Sequence, residues 1–273
     1  MRRLVVATTM SAFVAGCHGA PPSRVPADSV DSEPAADVCV KRADYACAMD
    51  LYGRALRAKR SASGQPVSES TRRRIVSKLR GMVDQYAPAA ELLSHAYSEA
   101  LVRITARRGS GGSVALDISL VAEIGVATLG LPRLVADVET IRRARVGDTD
   151  TPALVQGKIG HVLVAVHRYE DAARFTEAGV DYILNIQANR PELEPFAIVI
   201  MLQEVAADAY EVALARGDIA NASSILDRSL SKYPDTLLVE AFSVRARNRS
   251  DKVAEAKVRE IAARYHVTSS VLP

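Results

Sequence analysis

The run Gly217-Asp218-Ile219-Ala220-Asn221-Ala222-Ser223-Ser224-Ile225-Leu226-Asp227-Arg228-Ser229-Leu230-Ser231-Lys232-Tyr233-Pro234 decides the fold class. Gly217-Asp218 reverses the chain and Tyr233-Pro234 stops it. Between them Ala222, Leu226, Ser229 and Leu230 recur at the three- and four-residue spacing of one helix face. Small residues at 222 and 229 let a neighbouring helix approach, and Leu226 fills the groove between them. The same period continues outward, as in Ile75, Leu79, Met82 and Tyr86 or Leu92, Ala96, Ala100 and Ile104, while strand-like alternation is almost absent. Breakers at 64–66, 87–88, 109–113, 130–132, 147–152, 190–191 and 233–234 separate about nine or ten helices. The chain is expected to be all-α and built from antiparallel helix pairs.

The spacing recurs elsewhere. Asp44-Tyr45, Ala48, Tyr52 and Ala55-Leu56 match it with Ala43 in place of the glycine, and Gly160, Tyr169, Ala172 and Gly179 form a looser copy. Ala256 and Ala263, 34 residues beyond Ala222 and Ser229, suggest a fourth. The runs 44–56, 160–179 and 217–234 resemble the second half of a tetratricopeptide repeat, over about half of the chain. They depart from that family in three ways. The turns at His167-Arg168 and Gly217-Asp218 lie 50 rather than 34 residues apart, tryptophan is missing, and residues 61–150 hold no convincing copy.

The resemblance implies stacked helix pairs forming a superhelix, because one pair cannot cover its own apolar side. It also implies that the first helix of each pair lines the concave surface. Lys158 and His161, then Glu204, Asp208 and Glu211, then Phe242, Arg245 and Arg249 would line such a groove. Mixed charges with one aromatic suit a peptide segment; a solvated polar stripe is the plain alternative.

The N-terminus has the layout of an export signal. Arg2 and Arg3 precede the uncharged apolar stretch Leu4 to Ala15, and small residues follow. At 12 residues the stretch is too short for a bilayer span, which takes about 20. Val14-Ala15-Gly16-Cys17 resembles the lipobox of bacterial lipoproteins, which implies cleavage after residue 16 and lipidation of Cys17. His18 stands where lipoproteins retained in the inner membrane of many Gram-negative cells carry Asp, so the resemblance implies the outer membrane, periplasmic face. Residues 17–36, with Pro21, Pro22, Pro26 and Pro34, read as a flexible tether, and residues 37–273 as the folded domain with a sub-boundary near 109–113. Loss of Arg2 and Arg3 lowers the formal charge from +3 to +1, which does not point to a nucleic-acid partner.

Cys39 and Cys47 remain as thiols in a compartment that permits disulfides. In one continuous helix they would stand about 12 Å apart, beyond the roughly 7 Å limit for a bridge. A bridge therefore needs a turn near Arg42 to Asp44; two free cysteines are the alternative.

Little catalytic chemistry is legible. The histidines at 18, 95, 161, 167 and 266 form no i, i+4 pair, Glu91 and His95 alone make a poor metal site, and Gly109-Ser110-Gly111-Gly112-Ser113 lacks the ending of a phosphate loop. No metal or cofactor is expected. Without tryptophan the chain is poor in stacking platforms for sugars. One charge run stands out: Arg54, Arg57, Lys59, Arg60, Arg72, Arg73, Arg74, Lys78 and Arg80 surround a single acid, Glu69. It reads either as a solvated face or as a surface for an anionic partner. Two functions follow: a non-catalytic envelope adaptor holding a segment of another protein, or a cell-wall hydrolase whose site forms only in three dimensions.

Overall fold

The computed structural model describes residues 32–60, 67–106, 114–148 and 150–269. These are all-helical, without a strand: α1 (Ser32–Lys41), α2 (Tyr45–Arg57), α3 (Glu69–Met82), α4 (Pro88–Ala106), α5 (Val114–Thr128), α6 (Leu131–Ala144), α7 (Asp150–Ala165), α8 (Tyr169–Asn189), α9 (Pro195–Ala215), α10 (Ile219–Lys232), α11 (Thr236–Asn248) and α12 (Lys252–Arg264). The count among the described residues is twelve, above the nine or ten expected. The boundary between α11 and α12, at 249–251, is marked by neither glycine nor proline. None of these helices is long and apolar enough to cross a membrane. Cys17 and the lipobox lie outside the described residues, as do residues 109–113.

One turn geometry recurs. Ala43, His167, Gly217 and Ser250 each take a left-handed conformation, with φ of 58°, 60°, 72° and 53°. The next residue's N–H then bonds to the carbonyl five residues back: Asp44 to Cys39, Arg168 to Leu163, Asp218 to Ala213 and Asp251 to Ala246, at 2.9–3.1 Å. This is a helix-terminating Schellman arrangement, usually served by glycine. Only Gly217 is glycine here, so sequence alone shows one of the four reversals clearly. Asp44, Asp218 and Asp251 then cap the following helix by accepting from the N–H groups of Cys47, Asn221 and Ala254.

The last reversal corrects the register of the fourth copy. Asp251 follows Asp218 one residue sooner than a 34-residue spacing requires. Ala256 and Ala263 are exposed; the shift puts buried Ala262 at the place of Ser229 and Glu255 at that of Ala222, next to buried Ala254.

Buried small residues elsewhere set helix separations. Ala48, Ala55, Ala172, Ala222 and Ser229 are all buried. A Cβ on Gly160 in α7 would lie 2.9 Å from Thr176 Cγ2 and 3.2 Å from the Thr176 backbone nitrogen in α8; one on Gly179 would lie 2.8 Å from Val205 Cγ1 in α9. Both glycines thus allow α8 to nest between α7 and α9. Two apolar clusters result, one from Ala36 to Phe175 with Val212, the other from Val180 to Val267. Their junction lies along α8.

The tether reading extends too far. Residues from Ser32 onward form α1, with Ser32, Glu33 and Ala36 buried. Cys39 of α1 is bonded to Cys47 of α2 with a Cα–Cα separation of 5.9 Å, across the turn at Arg42 to Asp44. Replacing either cysteine by serine is expected to cost about 2.5 kcal/mol in urea denaturation, the chain-entropy value for so short a loop. The wild-type protein should show the same loss on reduction.

Ion pairs fix the other side of α1. Glu33 accepts from Arg74 Nε at 2.6 Å and Nη2 at 2.7 Å and from Lys78 at 2.9 Å; Lys78 also reaches Asp37 at 2.7 Å. The hydrogen bonds from Arg74 hold the Glu33 carboxyl below its ordinary 4.5, against the opposing effect of burial. A lowered folded-state pKa contributes stability that is complete above the unfolded value and is lost as pH falls through the folded one. The protection factors of α1 amides against hydrogen exchange, corrected for the intrinsic pH dependence, should therefore fall once pH drops below about 4.5. In Glu33→Gln that acid-dependent step should be smaller, with exchange already faster at neutral pH.

Candidate binding cleft

A cleft of about 990 Å³ opens where the start of α3 and helices α5, α7, α8 and α9 meet. Val114, Ile118, Ile183, Met201 and Val205 form its apolar wall. Its two ends are polar, and they differ.

At one end the charges are consumed by the fold. Arg145 donates to Asp148 at 2.6 Å and to the Ile104 carbonyl at 2.6 Å, and Arg190 pairs with Asp150 at 2.6 Å. Asp148 also accepts from the Asp150 and Thr151 N–H groups, closing the start of α7. Burial works against its charge, but the bonds from Thr151 and Arg145 outweigh that and hold its pKa low.

The other end is assembled from distant helices. Lys158 and His161 stand one turn apart on α7, and Glu204, Asp208 and Glu211 lie at i, i+4 and i+7 on α9. His161 Nδ1 is 2.7 Å from Asp208 Oδ2 and 3.3 Å from Glu204 Oε1. Asp208 is 1% exposed, and its second oxygen accepts from Arg245 of α11 at 2.9 Å. Arg245 also pairs with Glu211 at 2.8 Å. Glu211 accepts from the Tyr169 hydroxyl at 3.1 Å, and Arg249 stacks over the Tyr169 ring at 5.4 Å. Lys158 bridges Glu69 and Glu204, the latter at 3.3 Å. Burial disfavours charge on the His161 ring, yet Asp208 and Glu204 outweigh it and raise its pKa above the ordinary 6.5.

Seven of the eight residues assigned to the groove therefore form one connected ladder across α7, α9 and α11. Phe242 does not belong to it. It is fully buried, edge-on to Tyr210 with ring centroids 5.0 Å apart, because its position faces the α9–α11 core. Asp208 is also more structural than an open groove would require.

The basic run is not a uniform patch. Arg72 is buried and donates to the Val67 carbonyl, Arg73 pairs with buried Glu123, and Arg74 and Lys78 hold Glu33 and Asp37. Arg54 pairs with Asp50. Acids distant in sequence thus hold three of the nine cations, Arg73, Arg74 and Lys78, while Arg57, Lys59, Arg60 and Arg80 are exposed.

Glu69 is the residue that sequence reasoning missed. It looked like an isolated acid in a basic run, but at the first position of α3 it reaches the cleft, with His161 Nε2 3.7 Å away. Glu69, His161 and Glu204 offer donor atoms that all lie within 4.8 Å of one another, a set able to hold a metal ion. No family model, curated protein or solved structure matches this chain.

Proposed function

We propose that this chain is an envelope lipoprotein, anchored through Cys17 at the periplasmic face of the outer membrane, whose helical domain serves as a non-catalytic adaptor. On this reading its helix pairs stack in a tetratricopeptide-like superhelix, and the cleft holds an extended segment of another envelope protein. The supporting observation is the charged ladder from Glu69 to Arg249. It follows the first helices of successive pairs, and its part from Glu69 to Asp208 lines the cleft beside the apolar wall, so there it offers a segment alternating polar and apolar contacts.

A photo-crosslinking residue placed at Glu204 or Arg249 should capture one partner in cells, and the same probe at exposed Arg259 of α12 should not. Arg249→Glu should weaken that capture without altering the helical circular dichroism. Identical capture from all three positions would defeat the adaptor reading. Cys17→Ser should leave the precursor unprocessed or the protein soluble; a processed, membrane-attached Cys17→Ser protein would defeat the anchor.

A wall-acting hydrolase is the second reading, favoured by the convergence of Glu69, His161 and Glu204 at the cleft. Turnover of purified cell-wall material that Glu204→Gln abolishes would replace the first reading by this one.

A further inference from the structure

We propose that the cleft binds a divalent transition-metal ion through Glu69, His161 and Glu204, with zinc as the ion that the donor set fits best. The site is independent of the adaptor reading, since it concerns an ion rather than a protein segment.

Three observations support it. The donors come from α3, α7 and α9, helices far apart in sequence, yet their atoms converge within 4.8 Å. The imidazole is oriented from behind: Asp208, buried and fixed by Arg245, holds Nδ1 at 2.7 Å. A carboxylate in that position sets ring direction and raises ligand basicity in histidine metal sites. The other ring nitrogen, Nε2, has no hydrogen-bond partner among the described residues. Its nearest carboxylate oxygen, Glu69 Oε2, is 3.7 Å away, too far for a hydrogen bond. Two donors bound at roughly 2.0–2.1 Å in a tetrahedral zinc site lie about 3.3–3.4 Å apart, so a small closure brings this pair to ligand separation.

Charge balance agrees. Glu69, Glu204, Asp208 and Glu211 face three permanent cations, Lys158, Arg245 and Arg72, the last through Glu69. Lys158 now bridges the two glutamates as a tethered cation, so an incoming ion must displace its ammonium. Glu204 Oε1 lies against Nδ1, at 3.3 Å, so this half-exposed side chain must rotate to the Nε2 side to reach the ion, and the cleft supplies the open fourth position. The imidazole and the small number of oxygens favour zinc over calcium or magnesium, which prefer six or more oxygen donors or retained waters.

The test is calorimetric titration of the full chain with zinc chloride and, separately, calcium chloride. One zinc ion should bind per chain, with calcium at least tenfold weaker. His161→Gln and Glu204→Gln should each weaken zinc binding by about tenfold or more, as loss of one of three ligands requires. Lys158→Met, which removes the competing cation, should tighten it by about tenfold. Binding that is unchanged in His161→Gln and Glu204→Gln would place the zinc elsewhere and overturn the proposal. Failure of both the wild type and Lys158→Met to take up stoichiometric zinc would overturn it as well. Zinc uptake is read without any protein partner, so either result leaves the capture experiment separately decidable.

Discussion

Asp208→Ala is expected to lower unfolding stability by about 3–5 kcal/mol, the range for breaking a buried ion pair on one side. The carboxylate is almost wholly enclosed and satisfies two groups, the His161 ring and the Arg245 guanidinium. Its removal leaves both facing a cavity, with Arg245 keeping only the partly buried Glu211 and His161 Nδ1 only the half-exposed Glu204. Urea denaturation should show the loss as a lower midpoint with an unchanged slope. Glu204→Ala is the control. That side chain is half exposed, so its loss should change stability by less than about 1 kcal/mol. Equal effects from the two variants would mean that burial does not distinguish these acids.

Phe242→Ala should be comparably severe, at about 3–5 kcal/mol. The ring is fully buried, makes an edge contact with Tyr210, and joins α11 to α9 in the second apolar cluster. Phe242→Leu keeps much of the volume and should recover most of the loss in thermal melting. A Phe242→Ala protein that melts like the wild type would show that the α9–α11 contact carries little of the stability.

The helical class was legible because it rests on local period. Ala222, Leu226, Ser229 and Leu230 mark a buried face whatever packs on it, and all four are buried. The bridge between Cys39 and Cys47 was legible once a turn was placed between them. What escaped was the part decided by distant partners. Nothing near Arg73, Arg74 or Lys78 in sequence announces Glu123 or Glu33, so the run looked like free positive charge. Glu69 escaped for the same reason, since its neighbours in the cleft lie on α7 and α9. Phe242 was misplaced because the repeat spacing selects a helix and a turn of it, but the facing residue depends on how the next helix crosses. Of the four left-handed reversals, the one at Ser250 escaped, because serine there adopts a conformation usually left to glycine.

The linkage of α1 also has a mechanical consequence. A pull on the chain at Ser32 first loads α1, whose acids are clasped by Arg74 and Lys78. If that clasp yields, the helix peels only as far as Cys39. There the load crosses the sulfur bridge to Cys47 and bypasses residues 40–46, so about 25 Å of contour stays hidden from the force. In a single-molecule pulling experiment, adding a reductant should lengthen the unfolded chain by that amount. Whatever holds the N-terminal end, tension enters this domain through α2 and its neighbours rather than by fraying the helix nearest the attachment.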